Sequence, residues 1–166
     1  MKIKILTTGG TIDKLYFDDM SEFKVGSPQI VEFLKEANAT FDYEVQTICR
    51  KDSLDLTDED RQQIHAAVAN DSENERFLIT HGTDTMIQTA QSLADIAGKT
   101  IVLTGSMNPA RFRVSDAGFN VGFAVAAAQT VPPGVYIAMN GQVFDPGNVR
   151  KNRERHCFER IDSQPK

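Results

Sequence analysis

The sequence predicts an α/β fold, a three-layer sandwich in which a mostly parallel, Rossmann- or flavodoxin-like sheet is flanked by helices. Short runs rich in Val, Ile, Leu and Thr alternate along the chain with segments whose apolar residues recur at helical spacing. That alternation is typical of parallel strands joined by helical crossovers. The 166 residues, 40% of them hydrophobic, are enough for one core. We therefore predict a single domain over residues 1–166, in which residues 153–166 form a mostly solvated tail.

The strands and the first helix follow from local signals. Strands are predicted at residues 2–7, 43–48, 76–80, 100–103 and 135–139. The first helix is predicted to begin with Ser27 as its N-cap and Pro28 at the first helical position, and to end near Asn38.

Three further helices are predicted. The second opens at Thr57, where Asp60 three residues later makes a variant of the capping box. The third begins near Thr85, and Gly98 is placed to follow its last residue in a left-handed conformation. The fourth covers residues 116–129 and is rich in Ala, Val and Phe, so it is predicted to be the most buried.

Composition limits the classes of partner. The net charge is −5, from 18 basic and 23 acidic side chains, and this does not favour nucleic acid or an anionic membrane. The longest run of small apolar residues, 121–128, is too short to span a bilayer. Cys49 and Cys157 are the two cysteines, and neither has metal-ligand spacing. We predict a cytoplasmic protein with a small-molecule partner and with no metal or other cofactor.

Candidate site residues lie in the loops that follow the strands, because ligands bind outside the carboxyl ends of parallel strands. These loops, at residues 8–27, 49–56, 81–84 and 105–115, are rich in Gly, Ser, Thr and Asp. Thr11 follows two glycines and is a candidate nucleophile. A threonine hydroxyl needs an adjacent base, and Lys151 is a candidate if its segment returns across the strand ends.

Other interpretations of these loops stay open. The glycine turn before Thr11 could hold a phosphate, although neither of the common nucleotide-binding motifs is present. His81 could be a metal ligand or a base, but with no second His or Cys nearby a hydrogen-bonded structural role is favoured. Thr83 and Asp84 could simply start the third helix, because Asp is a common N-cap.

Several motif blocks follow one another along the chain: residues 8–12 (TGGTI), 81–86 (HGTDTM), 103–107 (LTGSM) and 115–120 (SDAGFN), followed by 145–152 (DPGNVRKN). Together, and in this order, they resemble the bacterial-type L-asparaginase/glutaminase family. The resemblance covers nearly the whole chain and corresponds to the amino-terminal domain of the family. It implies hydrolysis of asparagine to aspartate and ammonia through a covalent acyl-threonine, without a metal or cofactor.

The resemblance also implies roles for individual residues. Thr11 corresponds to the primary nucleophile, and Thr83 forms a second cluster with Lys151 and Asp84. The catalytic tyrosine of the family lies in the loop after the first threonine. In that loop the position that best matches the tyrosine holds Phe23, and Tyr16, which lies earlier in the loop, is the residue that we assign to assist Thr11.

Five residues are expected to bind the substrate. By resemblance, Asp84 pairs with the α-ammonium, and Ser53, in a loop that also contains Asp55, holds the α-carboxylate. Charge-assisted hydrogen bonds of this kind suit a zwitterion. Backbone N–H groups of the turns at Gly10 and Gly82 are expected to stabilise the tetrahedral oxyanion.

The leading hypothesis is therefore an amidohydrolase acting on L-asparagine or a related small amide. The alternative is a non-catalytic module that keeps the amino-acid pocket. In the family a second domain, contributed by a neighbouring subunit, completes the pocket. We therefore expect a homo-oligomer, a dimer or larger, in which another copy of the chain covers the site.

Overall fold

A computed structural model of the chain describes residues 1–17 and 22–162, except for the side chains of residues 16, 17, 22 and 23. It contains a six-stranded sheet that is parallel apart from its last pair of strands. Helices pack on both faces of the sheet. The predicted three-layer α/β fold is confirmed.

The elements follow one another in the order β1 (Lys2–Gly9), β2 (Lys14–Phe17), β3 (Glu22–Val25), α1 (Ile30–Glu36), β4 (Asp42–Lys51), α2 (Asp58–Ala69), β5 (Arg76–Thr80), α3 (Met86–Gln91), β6 (Thr100–Thr104), α4 (Ala117–Thr130), β7 (Gly134–Met139), β8 (Gln142–Phe144), β9 (Arg150–Asn152) and β10 (Cys157–Glu159). The sheet order is β4-β1-β5-β6-β7-β8, and only β8 runs antiparallel to its neighbour. The pairs β2–β3 and β9–β10 form separate hairpins.

The sheet separates two apolar layers. In β5, Leu78 faces the layer that contains α1 and α4, whereas Phe77 and Ile79 face the layer that contains α2 and α3. All three side chains are fully buried. Successive side chains of a strand point to opposite faces, so a central parallel strand is buried on both sides and consists of a continuous apolar run.

The predicted N-cap is wrong for the first helix and right for the second. The helix α1 has Gln29 as its N-cap, so the prediction that Ser27 caps it is wrong. The backbone N–H of Gln29 donates to the Asp13 carboxylate at 2.8 Å. The side chain that accepts a hydrogen bond at the start of the helix therefore belongs to the loop after β1. At the start of α2 the predicted capping box between Thr57 and Asp60 is confirmed, with both reciprocal hydrogen bonds present.

The helix α3 is shorter than predicted. It ends at Gln91, and the chain continues as turns, in which the Ser92 hydroxyl donates to the carbonyl of Thr89 at 2.8 Å. Leu93 is still fully buried, which explains why its helical spacing suggested a longer helix. Gly98 has a φ of +75° but lies in a later turn, so it does not end α3.

The segment predicted as a solvated tail is partly structured. The strand β10 pairs with β9, and Phe158 in its centre is buried in the same apolar layer as Phe144 and Val149. The N–H of Phe158 also donates to the side chain of Asn140 at 2.8 Å. The β9–β10 hairpin is thus fixed against the end of the sheet, and it carries Lys151. None of the helices that the structure describes is long and apolar enough to cross a membrane.

Candidate active site

Three loops meet at the carboxyl end of the sheet, because β1 lies between β4 and β5. A Cβ atom on Gly10 would lie 2.4 Å from the Cα of Gly82, and a Cβ on Gly82 would lie 2.6 Å from the Oγ of Ser53. Neither position has space for a side chain, so the backbone of Gly82 packs directly against the backbone of Gly10 and the side chain of Ser53. The contact brings Ser53 next to the loops that carry Thr11 and Thr83.

Thr11 begins a short 3-10 turn, Thr11–Asp13, and is half-buried. The N–H of Gly10 before it donates to the carbonyl of Lys51 at 2.9 Å. After it, the fully buried Ile12 accepts a hydrogen bond from the N–H of Ala110 at 3.2 Å. These contacts with β4 and with the loop after β6 hold the turn on both sides.

The side chains of Thr83, Asp84 and Lys151 form a hydrogen-bonded cluster. The Nζ of Lys151 lies 2.7 Å from the Oγ1 of Thr83 and 2.9 Å from an oxygen of Asp84. Thr83 is 4% exposed, whereas the side chains of Lys151 and Asp84 are 16% and 28% exposed. The β9–β10 hairpin therefore returns Lys151 across the strand ends to within hydrogen-bond distance of Thr83.

Arg153 is a second cation on Asp84. Its Nη2 lies 2.9 Å from the same carboxylate oxygen that Lys151 contacts. Burial alone would raise the pKa of Asp84, but the hydrogen bonds from Lys151 and Arg153 lower it below its ordinary value. Sequence reasoning missed Arg153 and left it in the tail. The available signal was its position only two residues after Lys151.

His81 is hydrogen-bonded to the Gly82–Thr83 turn. It is fully buried, and its Nδ1 lies 2.7 Å from the carbonyl of Gly82 while its Nε2 lies 2.9 Å from the hydroxyl of Thr89. A carbonyl can only accept, so Nδ1 carries the hydrogen and Nε2 accepts from Thr89. Burial lowers the pKa of His81 to about 4, which keeps the ring neutral near pH 7. These contacts correspond to a hydrogen-bonded structural role.

Ser53 and Asp55 occupy different surroundings although both lie in the 3-10 turn Ser53–Asp55. Ser53 is buried, and its carbonyl accepts a hydrogen bond from the hydroxyl of Thr85 at 2.7 Å. Asp55 is exposed and lines a neighbouring cavity of about 500 Å³. The structure thus brings Ser53, but not the side chain of Asp55, against the Gly82 turn. Asp52, which precedes Ser53, forms an ion pair of 2.5 Å with Lys14.

The loop after Thr11 is the β2–β3 hairpin. Tyr16 lies in β2 opposite Phe23 in β3, and its side chain lies outside the described residues, so its assignment to assist Thr11 stays a prediction. The base of the hairpin is held by Asp13, whose carbonyl accepts from the N–H of Gly26 at 2.7 Å. Burial raises the pKa of the Asp13 carboxyl to about 7, although the hydrogen bond from the N–H of Gln29 opposes the increase.

Side chains that could ligate a metal ion do not cluster among the described residues. Within residues 1–17 and 22–162, no group of three or more His, Cys, Asp or Glu side chains is arranged to hold a metal ion. The polar groups of the cluster are hydroxyls, one carboxylate and two cations, and these suit an uncharged amide or a charged amino acid.

Comparison with known proteins identifies the group of proteins that this chain resembles. The family model described as "Asparaginase, N-terminal" matches residues 2–165. The probable periplasmic L-asparaginase of Haemophilus influenzae is 33% identical over 159 residues, which are 90% of this chain and 46% of that protein. The structure of the thermostable L-asparaginase from Thermococcus kodakarensis superposes with a TM-score of 0.86 at 30% identity, covering 99% of this chain and 52% of that one.

A second kind of relative also matches. A glutamyl-tRNA(Gln) amidotransferase subunit of Metallosphaera sedula is 29% identical over 181 residues, which cover 99% of this chain and 41% of that protein. The chain thus spans about half the length, or less, of the relatives that it matches.

Proposed function

Because the chain belongs to the asparaginase family, whose amino-terminal domain it matches over residues 2–165, we propose that it is an amidohydrolase. It cleaves the side-chain amide of L-asparagine, or of a related small amide, to the acid and ammonia. The observation that carries the proposal is the cluster in which Lys151 lies 2.7 Å from the hydroxyl of Thr83. An amine at that distance can exchange a proton with the hydroxyl, as activation of a threonine requires.

The reaction takes place in two halves, and Thr11 is the nucleophile. Its hydroxyl oxygen attacks the amide carbon, the C–N bond breaks, and the hydroxyl proton leaves with the nitrogen as ammonia. Water then attacks the acyl carbon of the threonine ester, the C–O bond to Thr11 breaks, and one water proton returns to the threonine oxygen as the acid is released. Thr83 and Lys151 carry protons between these groups, with Lys151 in its neutral form when it acts as a base.

The surrounding groups bind and polarise the substrate. Asp84 accepts from the α-ammonium and Ser53 donates to the α-carboxylate. The N–H of Gly10 is already bonded to Lys51, so the N–H groups of Thr11 and Thr83 are the donors that we assign to the oxyanion. A donor of this kind contributes about 3 kcal/mol to catalysis in comparable sites.

The proposed reaction uses no cofactor. The two cysteines are free thiols, which fits a reducing compartment, and the cytoplasm remains the expected location.

Ammonia release from L-asparagine by the purified protein tests this proposal. We expect Thr11→Ala, Thr83→Ala and Lys151→Met each to lower the rate by at least about 100-fold, because each removes a nucleophile or a proton carrier. Two exposed residues on helices away from the cluster provide matched controls, Thr130→Ala and Lys35→Met, and these should keep the rate of the unmodified protein. Equal rates in all six preparations would contradict the proposal.

A second candidate function is an amide-hydrolysing component of an amidotransferase. It is favoured by the similarity of the chain to the glutamyl-tRNA(Gln) amidotransferase subunit of Metallosphaera sedula. A clearly higher rate with glutamine than with asparagine would favour this candidate. Binding of aspartate in a calorimeter without turnover of either amide would instead support the remaining alternative, a non-catalytic amino-acid-binding module.

A further inference from the structure

Asp84 is a single carboxylate that two positive charges contact. The ammonium of Lys151 and the guanidinium of Arg153 each lie 2.9 Å from the same oxygen, Oδ1. Lys151 is placed there by the β9–β10 hairpin and also contacts Thr83. Arg153, by contrast, follows the end of β9, and its side chain is 73% exposed. The arginine is therefore the cation that can leave Asp84 without disturbing the threonine cluster.

The ion pairs of Asp84 contain two cations and one carboxylate. Asp52 lies close enough to act electrostatically on Asp84. Its own charge is matched by Lys14 at 2.5 Å. The group of Asp52, Asp84, Lys14, Lys151 and Arg153 thus has three cations and two carboxylates, and its net charge is +1.

A substrate ammonium would have to approach this group against like charge, and it would share Asp84 with Arg153. An uncharged group at the same position would meet no such repulsion, because the guanidinium can stay in place. A carboxylate elsewhere on the substrate would still be attracted by the net positive charge.

We propose that Arg153 determines substrate preference by competing with the α-ammonium of the substrate for Asp84. The proposal rests on the function proposed above and concerns the substrate class of the same site. Arg153 shifts the preference toward amides that carry a carboxylate but no positive charge at the α position. Succinamate is the simplest example, since it is asparagine in which the α-ammonium is replaced by hydrogen. Arg153 acts through Asp84 and is a positioning residue.

The test compares kcat/KM for L-asparagine with kcat/KM for succinamate in the unmodified protein and in Arg153→Met. We expect the ratio of asparagine to succinamate to increase about threefold to fivefold in Arg153→Met, mainly through a lower KM for asparagine, because exposed ion pairs have effects of this size. Arg153→Lys keeps the charge and should give a ratio closer to that of the unmodified protein. A general effect on folding would change both substrates alike and leave the ratio unchanged.

Arg155→Met is the matched control. Arg155 lies on the same hairpin, its side chain is 72% exposed, and it pairs with Glu159 at 3.5 Å instead of with Asp84. We expect this variant to keep the ratio of the unmodified protein. An unchanged ratio in Arg153→Met, or an equal increase in Arg155→Met, would overturn the proposal while leaving the proposed hydrolysis intact.

The inference about Arg153 can also be tested if the protein does not hydrolyse amides. If no preparation releases ammonia, calorimetric affinities for aspartate and succinate replace the rates, because these two ligands also differ only in the α-ammonium. A selective gain of aspartate affinity in Arg153→Met would then support the inference for a binding module. Equal affinities in both proteins, or no binding of either ligand, would overturn it.

Discussion

The contact between Gly10 and Gly82 is the residue-scale feature on which the geometry of the site depends. Each glycine precedes a threonine that we assign to catalysis, and each lacks the space for a Cβ. The backbone of Gly10 also has a φ of +86°, which an L side chain rarely adopts. The two glycines let the loops after β1 and β5 approach more closely than any other pair of residues would allow.

We predict that Gly10→Ala will abolish most activity and destabilise the protein by about 3 kcal/mol, because it adds a clash with the Gly82 backbone to the strain of a positive φ. Gly98→Ala is a control for the strain alone, since Gly98 has a φ of +75° but nothing lies within 4 Å of its added Cβ. That variant should lose only about 1 kcal/mol and keep its activity. Urea denaturation and the ammonia assay measure both effects, and equal losses in the two variants would contradict the prediction.

At the scale of elements, two hairpins bring separate parts of the chain to the strand ends. The β9–β10 hairpin is held by the burial of Phe158 and supplies Lys151. The β2–β3 hairpin is joined to the start of α1 through Asp13, whose carbonyl binds Gly26 and whose carboxylate binds the N–H of Gln29. Asp13 therefore couples the loop after Thr11 to the body of the domain.

Asp13 also predicts a dependence of stability on pH. Its pKa is raised to about 7 in the folded protein, whereas an unfolded aspartate has a pKa near 3.9. Between about pH 4 and pH 7 the folded state therefore keeps a proton that the unfolded state has lost. The contribution of this carboxyl to the free energy of unfolding disappears as the pH rises through that range. Asp13→Asn keeps an oxygen for Gln29 and removes the titration. We expect the free energy of unfolding of the unmodified protein, relative to this variant, to fall by about 3 to 4 kcal/mol from pH 4 to pH 8.

Urea titrations of both proteins at several pH values measure this difference. The two proteins must be compared because His81 also makes stability depend on pH, in the opposite direction. The pKa of His81, about 4, lies below that of an unfolded histidine, so the contribution of His81 to the free energy of unfolding is lost as the pH falls from about 6.5 to 4. The contribution of His81 is the same in both proteins and cancels. A difference in stability that does not change with pH would show that Asp13 is ionised in the folded state.

At the scale of the whole molecule, the candidate site opens at one edge of the domain. Asp84 and Arg153 are exposed there. We predict that the protein forms a homo-oligomer in solution, because another copy of the chain is the simplest way to cover an open site. Light scattering should give at least twice the mass of 18.4 kDa at working concentration. A monomer mass that stays constant on concentration, in a preparation with full activity, would contradict the prediction.

The sequence by itself determined the fold class and the main candidate residues of the site. Apolar spacing is a local property, so the alternation of strands and helices could be read from neighbouring residues, and the capping box of Thr57 and Asp60 could be recognised within four positions. The motif blocks indicated Thr11, Thr83, Asp84 and Lys151 in the same way, although their catalytic roles remain proposals.

Only the tertiary structure decided which distant groups meet. Asp13 binds the start of α1 from 16 residues away, and Arg153 reaches Asp84 across 69 residues. The contact between Lys151 and Thr83, which are 68 residues apart, was expected only from the resemblance to a family. Such contacts depend on how the sheet and its hairpins bring chain segments together, and no local pattern of charge or hydrophobicity encodes that arrangement. We infer the substrate preference from the contact of both Lys151 and Arg153 with Asp84, and this contact could be found only in the folded chain.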